Sequence, residues 1–379
     1  MSTPTVVSPG RDNSRPKPVV TGVVDCDIHP SAASPAELWQ FLPERWRTYV
    51  AKFGTRLPNQ PTINIVPYPR MSPGNGMRMD SWPPNGGFPA SDLDFMREQL
   101  LDACGIEFGI FQPLSGASMS TNLELGAALS IAMNEWQLEK WARQDSRLKA
   151  GICIPQEDPE ASVAIIERFA GNRDFVHIAV PTRTMEPFGR KRYRPIFAAA
   201  ERWNLPICMH PPATGYHCNT PTGWASYYLE EHVSLAHPPQ TVATSMIMEG
   251  IFERFPRLKI VLVEGGFAWV PPLAWRLDNQ WRKMRDEVPH VKRPPSEYLR
   301  EHFWFTTQPV EEAERPSDLL DTIRWIGANR LMFSTDYPHW DFDDPSRAFK
   351  VELSAEDHRA IFRENAVALF RLNEKLDEK

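Results

Sequence analysis

Four residues at three places in the chain have the types and spacing to hold a divalent metal. Asp27 and His29 form a D-x-H pair in DCDIHP (25–30), and alternate side chains of an extended strand leave the same face. His210 closes LPICMH (205–210), and Asp336 closes RLMFSTD (330–336). Two imidazoles and two carboxylates at one rim make a cage for a single divalent ion with a position left open. Taken singly each signal is weak, because a lone strand-end histidine is more often a hydrogen-bonded core residue. Their joint occurrence, at the ends of three short apolar runs, is what points to a metal. Arg183 ends a fourth run in VPTR. Its guanidinium can grip a substrate carboxylate with two parallel hydrogen bonds, or it can neutralise the carboxylates of the site.

These residues need a scaffold that brings strand ends together. Eight short runs, apolar on both faces, read as buried parallel strands: 23–29, 106–113, 151–155, 175–182, 205–210, 258–266, 302–307 and 330–336. Helical periodicity lies between them, at 123–142, 194–203, 241–255 and 317–326. Eight alternations predict a (β/α)₈ barrel of the TIM type, whose catalytic residues stand at the C-terminal ends of its strands. The alternative is an open doubly wound sheet. That fold usually carries a glycine-rich turn after its first strand, where this chain has Asp27-Ile28-His29-Pro30.

The chain is longer than a minimal barrel. Residues 1–18, rich in Pro, Ser and Thr, predict a disordered tail, and 19–379 a single domain. The surplus falls at 51–92, 211–240 and 271–300, which read as long loops on the rim of the active site. Proline is abundant, 37 of 379 residues, about twice the usual share, and the Pro-Pro steps at 211–212, 238–239, 271–272 and 294–295 are expected to stiffen those loops. Trp82, Phe88, Trp224, Tyr227, Tyr228, Trp269 and Trp340 are placed to wall an apolar or aromatic substrate, with Trp269 the first candidate; loop cores or a subunit contact would use them equally well. Of His217, His232 and His237, one is expected to reach the pocket.

Composition narrows the classes. With 42 Lys+Arg against 48 Asp+Glu the net charge is −6, which argues against a nucleic-acid partner. No apolar run is long enough for a membrane span. Five scattered cysteines without a CxxC pair suggest neither a disulfide framework nor a structural zinc site, and a cytoplasmic setting is expected.

The motifs DCDIHP (25–30), RPIFAAAERWNLPICMHPP (194–212), IFERFPRLKIVLVEGG (251–266), LMFSTDYPHWD (331–341) and ENAVALF (364–370) resemble the amidohydrolase-related group of the amidohydrolase superfamily. That branch holds aminocarboxymuconate-semialdehyde decarboxylase and the resorcylate-type aromatic decarboxylases. The resemblance covers roughly 23–372 and implies a metal-dependent barrel enzyme, homodimeric or of higher order. It implies metal ligands at Asp27, His29, His210 and Asp336. Two departures stand out. Asp27 occupies a position where many relatives have His, and Glu264-Gly265-Gly266 replaces an HGG motif whose histidine is catalytic. Glu264 is open to three roles: ligand, general base or substrate acceptor. His339, in the DYPH turn, is placed to donate to substrate or to Asp336. The oxygen-rich shell suits Mn or Fe, with Zn also open, and the strand-four run HIAVPT lacks the lysine that binuclear relatives carbamylate, so one ion is expected.

Two reactions use these residues. In a non-oxidative decarboxylation of a small aromatic or unsaturated acid, Asp336 protonates the carbon that loses CO₂. In the hydrolysis of an ester, lactone or amide, Asp336 instead takes the proton of a metal-activated water. The family resemblance favours the carboxy-lyase, and a barrel that binds metal without turnover is the remaining alternative.

Overall fold

In the computed structural model, which describes residues 22–54, 76–114, 117, 120–211, 218 and 220–374, all eight expected strands form. They are β1 (Val23–Ile28), β2 (Ile106–Phe111), β3 (Leu148–Cys153), β4 (Phe175–Pro181), β5 (Ile207–His210), β6 (Ile260–Leu262), β7 (Phe303–Thr306) and β8 (Leu331–Met332). They pair in sequence order, and every pair is parallel. Backbone bonds close the ring between its ends: Cys26 N to Phe333 O at 3.0 Å, Asp336 N to Asp27 O at 3.1 Å and His29 N to Tyr337 O at 2.9 Å. The result is the (β/α)₈ barrel that the alternation predicts. Residues 1–18, residues 55–75 of the segment 51–92, and His217 lie outside the described residues.

Two apolar layers hold the barrel. Its interior is filled by Val24, Cys26, Ile110, Val176, Cys208, Val261, Val263 and Met332, small side chains that suit a narrow lumen. The C-terminal helix Asn365–Phe370 plugs one end with Ala366, Leu369 and Phe370. The outward strand residues, among them Ile152, Ile178, Ile207, Leu262 and Phe305, meet the helices in the larger core.

Strand termini and helix starts depart from the sequence pattern in ways that have a cause. β3 begins at Leu148 rather than 151 and β6 spans only Ile260–Leu262, because a parallel strand ends where ladder partners end, not where apolar residues do. The segment 271–300 is not a loop. It contains the helices Val270–Met284 and Pro295–His302. Its prolines begin those helices, as Pro238 and Pro239 begin His237–Met248. The first helical position needs no backbone N–H, and its φ matches the proline ring. Seven described helices carry proline in their first two positions, so much of the proline excess starts helices rather than stiffening loops.

Candidate metal centre

The ends of β1, β5, the β6 turn and the β8 turn bring five side chains together. Asp27, His29, His210 and Glu264 each offer a ligand atom within 4.8 Å of the others, and His29, Asp336 and His339 form a second such group sharing His29. Nε2 of His29 lies 3.2 Å from Asp27 Oδ1 and 2.8 Å from Asp336 Oδ1. Nε2 of His210 lies 2.6 Å from Glu264 Oε2 and 3.7 Å from Asp27 Oδ1. All four sequence-derived ligands therefore meet, and Glu264 meets with them.

Local backbone aims these groups. Glu264 and Asp336 both have positive φ, +51° and +63°, a conformation unfavourable for residues with a Cβ and found where surrounding contacts enforce it. For Glu264 the enforcing contacts include its own N–H, which donates to Thr306 Oγ1 at 3.0 Å. Just beyond, Gly266 at φ +61° faces the Glu311 carboxylate, where a Cβ would collide with Oε1. Glu311 accepts from the N–H groups of Phe267 and Ala268, both at 3.0 Å, and so organises the turn that carries Glu264. Thr335, before Asp336, is tied to β1 by donating from both N and Oγ1 to the buried Asp25.

The protonation states carry the same signature. Nδ1–H of His29 donates to the Gln112 carbonyl at 2.7 Å, which leaves Nε2 as a lone pair facing two carboxylates. Burial, then the charges of His339 and His210, holds His29 well below its usual value; burial takes His210 down to about 3. Burial also drives the carboxyls of Asp27, Glu264 and Asp336 well above theirs, reinforced by neighbouring carboxylates. Close as their neighbours lie, Asp27 Oδ1 and Oδ2 and His210 Nε2 are buried and form no hydrogen bond with any described residue. Converging lone pairs on buried atoms, short of positive charge, are the donor set of a divalent cation. The residues present fit one ion.

The other candidates separate. His339 joins the centre: its Nδ1–H donates to Asp336 Oδ1 at 2.5 Å. Trp269 has its Nε1–H engaged, donating to the carbonyls of Gly265 and Gly266 at 2.8 and 3.1 Å, and its ring packs edge-on to Phe305. Arg183 is 4% exposed and lines a cavity of about 280 Å³ with Thr182, Thr184, His237 and Thr241. That cavity adjoins the centre through Thr182 N, which donates to His210 O at 3.0 Å. Trp224, Tyr227 and Trp340 are partly exposed, and Trp82 packs edge-on to Phe88.

Two contributors carry no motif. Gln112 orients His29 through its main-chain carbonyl, a contact any residue type can make. Gln308 donates from Nε2 to Asp336 Oδ2 at 3.1 Å, and its position two residues past β7 was its only trace.

The family model described as amidohydrolase matches residues 24–372. The chain belongs to the amidohydrolase family. Among this amidohydrolase's relatives is the γ-resorcylate decarboxylase of Rhizobium radiobacter, 30% identical over 301 residues that cover 74% of this chain and 88% of the relative. The solved 2,6-dihydroxybenzoate decarboxylase from Rhizobium superposes with a TM-score of 0.66 at 24% identity, covering 94% of this chain and all of that one. A dihydroxybenzoic acid decarboxylase from Polaromonas sp. JS666, solved with manganese and 2-nitroresorcinol, gives 0.63 at 22% identity, covering 94% and 98%. At these identities the structural likenesses bear on the fold of the amidohydrolase, which they share with the barrel described above.

Proposed function

We propose that this amidohydrolase is a metal-dependent, non-oxidative decarboxylase of a small aromatic carboxylic acid. The observation that carries the proposal is the convergence of Asp27, His29, His210, Glu264 and Asp336 on one buried point, in a chain 30% identical to a γ-resorcylate decarboxylase. The relative tips the balance toward carbon–carbon cleavage over hydrolysis, which the donor set alone would serve as well. Asp27, His29, His210 and Asp336 would hold one divalent ion, with Glu264 as a further ligand and manganese as the first candidate; iron and zinc are the alternatives for the same donors. When bound, such an ion supplies positive charge that fixes and neutralises the oxygens of an aromatic acid.

The chain's own residues do the rest. Asp336, 0% exposed, delivers a proton from its carboxyl to the ring carbon that bears the substrate carboxylate. The bond from that carbon to the carboxylate then breaks, CO₂ departs, and its electron pair restores the aromatic ring. His339, donating to Asp336 Oδ1, holds the acid in place. Arg183 is assigned to the substrate because it is 4% exposed and lines the cavity of about 280 Å³ beside the centre. Thr182 Oγ1, buried without a hydrogen-bond partner among the described residues, opens the same cavity to a polar substituent.

A homo-oligomer is part of the proposal, supported by exposed apolar side chains such as Trp275, Met284 and Phe53. So is a cytoplasmic setting, which five free cysteines suit. The test is to incubate the Mn²⁺-loaded protein with hydroxybenzoic acids in ¹⁸O-water. CO₂ release without ¹⁸O in the aromatic product is expected, and Asp336→Asn should abolish it. Turnover of aryl esters or lactones with ¹⁸O incorporation would replace the proposal with hydrolysis.

A further inference from the structure

Behind Asp336 runs a chain of hydrogen bonds that leaves the centre and ends on the helix Tyr228–Val233. Its first link is Gln308, wholly buried, with its backbone N–H fixed on Ser334 Oγ at 3.1 Å. The side-chain nitrogen of Gln308 faces two carboxylates at once, Asp336 Oδ2 at 3.1 Å and Asp341 Oδ2 at 2.8 Å. Only an NH₂ group can occupy that point, so the orientation of the amide is set by its partners. The second link is Asp341, whose Oδ2 also accepts from His232 Nε2–H at 3.0 Å. Burial works to raise the Asp341 carboxyl, but the hydrogen bond and charge of His232 outweigh it and bring it below its usual value.

The far end is built into the mouth of the barrel. The His232 ring packs against Trp340 at 5.3 Å and Tyr228 at 5.7 Å between centroids. Trp340 Nε1–H donates to Tyr228 Oη at 3.2 Å, and Trp340 N–H to Gly76 O at 2.7 Å. Leu229 and Val233 of the same helix are 74% and 67% exposed, so the helix has few apolar contacts of its own and His232 is one of its attachments. At the near end Asp336 sits at φ +63°, a conformation that needs outside support.

We propose that Gln308, Asp341 and His232 are positioning residues that together set the place of Asp336, so that the helix Tyr228–Val233 governs how tightly the centre holds its cation. The proposal rests on Asp336 being a metal ligand, not on the reaction the centre serves. Partners behind a ligand that lock its orientation change metal affinity by about 10- to 100-fold when removed. An ordinary fold contact would change stability alone.

The experiment is Mn²⁺ titration calorimetry on the full chain, with thermal unfolding of each metal-free variant alongside. His232→Ala is expected to weaken Mn²⁺ binding at least tenfold, and His232→Gln, which keeps a donor, to stay within threefold of wild type. Asp341→Asn is the sharper probe. Its amide oxygen can still accept from both donors but carries no charge, so both hydrogen bonds lose their charge assistance and Mn²⁺ binding should weaken with little change in melting temperature. Mn²⁺ affinities within twofold of wild type for both His232→Ala and Asp341→Asn would overturn the proposal, whatever their melting temperatures. The result stands apart from the decarboxylase assignment: a protein that binds Mn²⁺ as expected but releases no CO₂ refutes that assignment and leaves the positioning role in place.

Discussion

Glu264 Oε2 lies 2.6 Å from His210 Nε2, joining the turn after β6 to the end of the neighbouring strand β5. Burial drives both groups toward their neutral forms; a cation between them would ionise Glu264 and keep His210 neutral, the two states that bind a metal. Glu264 is therefore expected to be a ligand rather than a distant base. Glu264→Gln keeps the shape and loses the charge, and should weaken Mn²⁺ binding by about 10- to 100-fold in calorimetry while leaving the folded content seen by circular dichroism unchanged. Unaltered affinity would return Glu264 to the role of base or substrate acceptor.

Metal removal should show in stability as well. A ligand that binds only the folded state adds about 2.7 kcal/mol when present at a hundred times its dissociation constant. The chelator-treated amidohydrolase should therefore melt several degrees lower, and Mn²⁺ should restore the difference in a concentration-dependent way. Asp27→Asn should remove most of this Mn²⁺ response, because both Asp27 oxygens are buried without other partners among the described residues. A melting temperature indifferent to Mn²⁺ in the wild type would sink the metal assignment.

The barrel and its candidate ligands were legible for a common reason. A buried strand must be apolar on both faces, so the polar residue that ends it is conspicuous, and Asp27, His29, His210 and Asp336 all end such runs. Glu264 was visible by the same logic, though not its role. What the sequence concealed acts through the backbone or through tertiary neighbours. The Gln112 carbonyl that orients His29 has no residue-type signal, and Glu311 reaches the Phe267 and Ala268 amides from more than forty residues away. The position of Trp269 after β6 was readable and made it a candidate for the substrate wall, while its indole contacts with Gly265 and Gly266 were not readable. Prolines at 271 and 295 looked like loop residues because a proline is equally at home in a loop and in the first turn of a helix.

Gly266 offers a test of how the Glu264 turn is held. Its φ of +61° and the Glu311 carboxylate against its Cα both exclude a side chain. Gly266→Ala should cost about 2–4 kcal/mol, combining left-handed strain with displacement of Glu311 from two backbone amides. Glu311→Gln keeps one acceptor oxygen and should cost less, about 1 kcal/mol. Urea unfolding reads both. A Gly266→Ala variant as stable as wild type would show that the turn has another resting conformation.

His177 sets an acid limit on the barrel. It is 0% exposed, and neither ring nitrogen has a hydrogen-bond partner among the described residues. It fills the space that Gly151 of β3 leaves by having no Cβ, near the Phe370 plug at 6.1 Å. Burial lowers its pKa from 6.5 to about 3. Between those values the unfolded chain binds a proton that the native ring refuses, so stability rises with pH there. The contribution is complete above about pH 6.5 and declines as pH falls toward 3, by about 1.4 kcal/mol per unit. His177→Leu removes the titrating ring and the unpaired nitrogens, and should match or exceed wild-type stability at pH 7. Between pH 6.5 and 5 the wild type should lose about 2 kcal/mol more than this variant in urea unfolding. Parallel pH profiles for the two proteins would mean that the native ring takes up its proton inside the barrel, and that a water or a main-chain carbonyl reaches it there.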